Sequence, residues 1–237
     1  MNEPSDNENA VRITLRIPGD WSHPREVLAR MPAGYQLEPE SMTLPDGSRV
    51  EFDAIPSDAQ FPQIFASSCR RPPTDDEKAI VSRYTVNLAL TGPGGSMELA
   101  QRMMQAAAAI VQAGGAGVFI DGSALAHGGQ DWVAMTDDGG PDALSFAFAS
   151  IVQGRQEVYT MGMQALGFPD IVMSRADADA GDGGTIIEII RYICSSGRPV
   201  DVGHILADEM GPRFQVVSKG SDDFDPQSTL HNPFGRL

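Results

Sequence analysis

Apolar residues recur along this chain in two rhythms. Val11, Ile13, Leu15 and Ile17 alternate with Arg12, Thr14 and Arg16, which predicts a half-buried strand. Thr85 to Leu90 is β-branched and apolar with Asn87 interrupting, as suits a largely buried strand. Gly92-Pro93-Gly94-Gly95 then breaks it, because proline lacks the ladder N–H and glycine has no fixed φ. Ser96 sits where an N-cap belongs, and Leu99, Met103, Ala107 and Ile110 follow at helical spacing, with Ala100, Met104 and Val111 widening the stripe. Gly114-Gly115 ends the helix, and Val118-Phe119-Ile120 returns as a strand. The chain is organised around this unit, Tyr84 to Asp121, and Ala106 to Ala109 would let its helix lie close to a sheet.

Other segments are read in the same way. Ser22 is expected to cap a short helix over Arg25 to Met31, with Pro24 in its first turn. Tyr35 to Leu37 reads as a strand, and Met42 to Leu44, Pro45-Asp46-Gly47 and Arg49 to Ala54 as a hairpin. The proline-rich residues 56 to 74 read as irregular, with Phe61, Ile64 and Phe65 on the core, before Thr74 opens a helix through Arg83. Gly122 to Gly129 reads as a loop, Trp132 to Met135 as a short strand, and Leu144 to Val152 as an interior strand. Gln156 to Leu166 is expected to be helical, Ile171 to Met173 a strand, Thr185 to Ser195 an amphipathic helix and Arg213 to Ser218 a last strand. The expected fold is α+β, a mixed β-sheet with helices packed mainly on one face, built from about three strand-helix-strand units. Residues 1–9 are expected to be a disordered tail, 10–218 a single domain and 219–237 an irregular tail. Within the domain, 10–55 are a possible subdomain and 56–73 its link.

Charge narrows the partners. Seventeen Lys and Arg oppose 32 Asp and Glu in 237 residues, a net charge of −15. Such a surface repels phosphate backbones and anionic lipid, so neither nucleic acid nor membrane is expected as a partner, whereas a basic protein is compatible. Two cysteines without a shared motif and a polar, acidic start imply a reduced, cytoplasmic protein.

Candidate chemistry is sparse. A glycine turn ahead of a helix N-terminus is an anion site, which makes Gly94, Gly95 and Ser96 candidate ligand-binding residues. Met97 and Glu98 stand where a phosphate loop needs lysine and a hydroxyl, and the spaced glycine fingerprint is absent, so no cofactor is expected. The simpler reading is a tight strand-to-helix turn. His127 lies in AHGGQDW with Asp121 and Asp131 nearby; together they suit an acid–base pair or ligands in a loop, or His127 is a polar loop side chain. Asp177, Asp179, Asp182 and Glu188 resemble a calcium loop, but Gly181 takes the fifth place and Asp182 the sixth, reversing the required order. No metal is therefore assigned. Cys69 precedes Arg70-Arg71, and adjacent cations lower a thiol's pKa, which makes it the reactive-cysteine candidate; the simpler reading is a partly buried, inert thiol.

From the Tyr84–Asp121 unit through Tyr159, Thr160, Gly162, Gly167, Phe168, Pro169 and Asp170, the chain resembles an uncharacterised bacterial domain-of-unknown-function family, over roughly residues 84 to 217. The resemblance implies no catalytic residues. Some members of that family look like parts of bacterial conflict or immunity loci, which implies a protein-binding role. Two functions are expected: a non-catalytic protein-binding or adaptor module, immunity-like by that resemblance or a homo-oligomer, or an anion- or phosphate-binding protein or enzyme using the loops after Leu90 and Ile120.

Overall fold

The computed structural model describes residues 10–179, 184–196, 202–207, 213–217 and 230–236. Seven strands form the larger sheet: β1 (Arg12–Gly19), β2 (Gln36–Leu37), β3 (Ser41–Thr43), β4 (Arg49–Pro56), β5 (Val86–Pro93), β6 (Gly117–Ile120) and β7 (Leu125–Gly128). Their order is β2-β3-β4-β5-β1-β6-β7, and every pair is antiparallel. The first strand of the chain is therefore an interior strand, and residues up to Pro56 supply four of the seven. Helix α4 (Met97–Gln112) connects β5 to β6 across β1. These outer strands run in the same direction with β1 reversed between them, so the central unit is a split strand-helix-strand crossover.

The alternation in β1 sets the two faces. One row across the sheet reads Phe52, Leu90, Leu15, Ile120, Leu125, and these residues join the core beneath α4. The adjacent row, Asp53, Ala89, Arg16, Phe119, Ala126, belongs to the opposite face, because side chains one residue apart point to opposite sides. On the first face lie α4, α1 (Pro24–Arg30), α5 (Gly129–Asp138) and α6 (Pro141–Phe148). On the second, α2 (Phe61–Ser68) and α3 (Asp75–Ser82) place Phe61, Phe65 and Val81 against Ala116, Ala126 and Phe119. The fold is α+β with helices mainly on one face, as the sequence predicts.

Helix α4 begins as expected, with the Ser96 hydroxyl accepting from the Leu99 N–H at 3.1 Å. Ala106 to Ala109 are all buried, because the sheet lies beneath them and α5 and α6 lie beside them. Trp132 on α5 is fully buried and donates its indole N–H to the Met104 carbonyl of α4 at 3.1 Å. A second sheet packs on this core through β8 (Ser150–Gln153), β9 (Glu157–Met161) and β10 (Asp170–Ser174). It continues through β13 (Leu230–Arg236), β12 (Arg213–Val216) and β11 (Ile205–Ala207), with β10 and β13 parallel and the other pairs antiparallel. Helix α8 (Thr185–Ser196) buries Ile186, Ile189, Ile190 and Ile193 against the same core.

Several local expectations are corrected. Trp132 to Met135 lies in helix α5, ended by Gly139 at φ +59°. Leu144 to Val152 divides into α6 and β8, since Pro141 starts a helix whose Leu144, Ala147 and Phe148 share a buried stripe. Gln156 to Leu166 forms β9 and a 3₁₀ turn (Met163–Leu166), not a helix. Residues 61–68 are helical because Phe61 and Phe65, four apart, meet the sheet together, while Ile64 stays exposed. His23 rather than Ser22 caps α1, accepting from the Arg25 N–H at 3.1 Å. The 122–129 loop contains β7, and residues 230–236 form β13. Strand β5 runs on to Pro93, opposite Arg12. The missing N–H is tolerated because position 93 faces the β4 side, beyond the last β4 pair at Thr91. The expected tail at 1–9 lies outside the described residues.

Because Ala107 is fully buried between sheet and neighbouring helices, enlarging it forces strain into a close-packed layer. Ala107→Leu is expected to destabilise the fold by about 1–3 kcal/mol in urea-unfolding measurements.

Candidate functional site

The candidate residues fall into separate places. At the glycine turn, the Gly94 N–H donates to the Val11 carbonyl at 2.8 Å and the Gly95 N–H to the Ala165 carbonyl at 3.0 Å. Ser96 caps α4. The turn is a seam on which the 3₁₀ turn docks: a Cβ on Gly167 would lie 2.6 Å from the Gly95 oxygen. Gly162 and Gly167 flank that 3₁₀ turn at φ +98° and +88°, a region that glycine occupies without strain. Asp170, nearly fully buried, accepts from the Thr160 hydroxyl at 3.0 Å and the Met163 N–H at 3.1 Å, while the Thr160 oxygen accepts from the Ile171 N–H at 2.8 Å. Thr160, Gly162, Gly167 and Asp170 thus form a clasp that holds β9, β10 and the α4 entry together.

Asp121 lies at the end of β6 and accepts from Arg16 Nε at 2.7 Å and Nη2 at 2.8 Å. His127 sits on β7 and is turned inward, 1% exposed, between the rings of Trp132 and Phe146. Its Nε2–H donates to the Ala147 carbonyl at 3.0 Å, so Nδ1 carries the lone pair, and Nδ1 has no partner among the described residues. Burial lowers its pKa to about 4, the hydrogen bond to Ala147 and the nearby Asp131 acting in the opposite sense. Asp131 pairs with Arg71 at 3.6 Å. Of the expected trio, only His127 and Asp131 are neighbours; Asp121 has its own partner.

Two further groups close the helix ends beside His127. Arg70 donates from Nη1 to the Phe146 carbonyl at 2.9 Å and from Nη2 to the Ala149 carbonyl, and its guanidinium lies 4.6 Å from the Phe146 ring centroid. With His127, it satisfies the last carbonyls of α6, which ends without a glycine. Glu77 is buried; its Oε2 accepts from the Thr74 N–H at 2.7 Å and its Oε1 from the Gln130 N–H at 2.9 Å. One carboxylate therefore serves the N-termini of both α3 and α5, where the helix dipoles favour it. The Thr74-x-x-Glu77 spacing is a capping-box signature visible in the sequence; the remote bond to Gln130 is not.

Cys69 follows the simpler reading of a partly buried, inert thiol. Burial, followed by Glu77 and Asp131, pushes its thiol up to about 11, outweighing the arginines beside it in sequence. The described calcium candidates fall on two separate helices. Asp177 and Asp179 lie in helix α7 (Arg175–Asp179), where Asp177 bonds Ser174, and Glu188 lies in α8. Asp182 falls outside the described residues. Among the described residues, no group of His, Cys, Asp and Glu is placed to hold a metal.

The open surfaces lie elsewhere. A groove of about 500 Å³ runs between α1 and the sheet, walled by Val27, Leu28, Leu37, Phe52, Val86 and Leu88. Leu28 is half-exposed there, and Glu38 stands at the lining, paired with Arg49 at 2.6 Å. The edge of β4 beside it resists an added strand. The outward Phe52 N–H is bonded to the Glu40 carbonyl, the Ala54 N–H to the Asp53 carboxylate, and Pro56 has none. No helix among the described residues is long and apolar enough to cross a membrane. No family model, curated protein or solved structure matches the chain.

His127 titrates near 6.5 when unfolded and near 4 when folded, so below pH 6.5 the unfolded chain takes up a proton that the native state refuses. Stability is expected to fall as pH drops from 7.5 to 5, by about 2 kcal/mol from this group alone. Urea unfolding of the protein beside His127→Gln checks this, the variant lacking that part of the slope.

Proposed function

We propose that this chain is a non-catalytic protein-binding or adaptor module whose docking surface is the groove between α1 and the sheet. The observation that carries this reading is an apolar wall left open at the surface of the groove, where Leu28 is 50% exposed. The partner is a basic amphipathic segment. Glu38 lies in the groove lining, Glu40 is exposed two residues further on, and the whole chain carries −15. Complementary charge speeds encounter, and apolar anchors then supply affinity. A bound helix or turn fits this surface better than an added strand, because the β4 edge has its donors bonded or missing. An immunity-like role follows from the family resemblance in the same spirit.

The alternative, anion or phosphate binding by an enzyme or receptor using the loops after Leu90 and Ile120, has less support. The amides of Gly94 and Gly95 already bond the chain's own carbonyls, and Asp121 is held by Arg16. Selection from a random peptide display library tests the proposal. Enriched peptides are expected to be amphipathic and net positive, and Leu28→Glu is expected to weaken them at least about tenfold with an unchanged melting curve. Enrichment of acidic peptides, or indifference to Leu28→Glu, would contradict it; a second copy of the chain as the occupant would show as concentration-dependent dimerisation abolished by the same variant.

A further inference from the structure

A second cavity, of about 360 Å³, opens between α6 and α8, far in character from the α1 groove. Phe146, Ile151, Ile187 and Ile190 give it apolar walls, and Ile187 is 42% exposed, so the cavity communicates with solvent. Arg70 and Arg191 complete its charge. The half-buried Arg70 guanidinium uses two of its N–H groups on the Phe146 and Ala149 carbonyls. It has no carboxylate partner among the described residues. Its neighbour Arg71 lies over the same Phe146 ring at 4.8 Å and is paired with Asp131. Arg191 is exposed and only loosely paired, its Nε 4.0 Å from Asp142, itself exposed at the lining.

This arrangement is unusual for a chain with nearly twice as many acids as bases. Most cations on the described surface face a carboxylate, as Arg12, Arg16, Arg49, Arg83 and Arg102 do. Arg70 instead stabilises a helix end and keeps donors over for something else. Burial and the nearby Arg71 charge both lower its pKa, the direction expected when no anion compensates the charge. A guanidinium in a partly dry site gains most from a carboxylate, with which it makes charge-assisted hydrogen bonds. The isoleucine wall beside it adds a second requirement, since only a ligand with an apolar body removes that wall from water.

We propose that the α6–α8 cavity binds small monocarboxylates with an apolar body, the carboxylate on Arg70 and the hydrocarbon against Ile151, Ile187 and Ile190. The site is independent of the peptide groove and uses none of its residues. Phosphates bind worse, because they offer no apolar body to the isoleucine wall. An uncharged molecule of the same shape keeps the wall contact but leaves the arginine unserved.

Calorimetric titration of the full chain with octanoate, octanol and octylammonium, with isoleucine methyl NMR spectra of each mixture, tests this. Octanoate is expected to bind and to shift the Ile151 and Ile190 methyl signals. Octanol should bind at least about tenfold more weakly and octylammonium should not bind. Ile187→Glu, at an exposed position on α8, is expected to weaken octanoate at least about tenfold with an unchanged melting curve. Should that variant unfold, Arg191→Glu, at an exposed residue of the cavity lining, gives the same reading. Equal affinity for octanol and octanoate, methyl shifts confined to other isoleucines, indifference to both variants, or no heat and no shifts with octanoate would each overturn the proposal.

Discussion

A helix whose buried side carries methyl groups settles closer to a sheet than one lined with leucine, and the described fold depends on that close approach. In α4, Ala100, Ala106 and Ala107 are fully buried, and Met103, Met104 and Ile110 fill the space to either side. Ala108 and Ala109 complete the small surface on which the neighbouring helices lie. Interiors are packed to near-crystalline density, so such a layer tolerates little change in volume. What surrounds α4 follows from this. Strand β1 passes beneath it with Ile13, Leu15 and Ile17 upward, Trp132 reaches across to its Met104 carbonyl, and the clasp of Thr160 and Asp170 seats the 3₁₀ turn at its entry. The glycines at each end serve geometry: one turn receives Gly167, and Gly114 at φ +115° reverses the chain beside Trp21.

Most of this central unit was legible in the sequence, because each of its signals is local. The Ser96 cap, the helical stripe of α4 and the alternation of β1 depend on neighbours within one turn or two residues. The errors fall where the deciding contact is remote. Trp132-Val133-Ala134-Met135 is apolar enough for a strand, and becomes helical because Glu77, far away in sequence, meets the amide of Gln130. Leu144 to Val152 reads as one apolar run, yet its first half is a helix whose final carbonyls are taken by Arg70 and His127. Tyr159 and Thr160 have side chains suited to either period until Asp170 fixes Thr160 inward. A short apolar run is ambiguous by periodicity alone, and tertiary partners settle it.

The candidate site was legible only in part, for a related reason. Sequence proximity placed His127, Asp121 and Asp131 together, but β6 and β7 form a hairpin whose alternating pleat sends neighbouring residues to different faces. Asp121 is drawn to Arg16, and His127 is drawn inward as a donor to the end of α6. Likewise Cys69 has cations on its covalent side and carboxylates in space, and space governs its thiol. Arg70, His127 and Glu77 thereby serve helix ends. Among the described residues, the α1 groove and the arginine-containing cavity beside α8 are surfaces where apolar walls meet solvent.

Native-state hydrogen exchange of α4 tests the dependence on close packing most directly. The amides of Met103 to Ile110 are predicted to open only with global unfolding, their exchange free energies matching the urea-derived stability within about 1 kcal/mol. Exchange of these amides through a cheaper local opening, while β1 and β5 remained protected, would show that the sheet stands without the helix and would contradict the account.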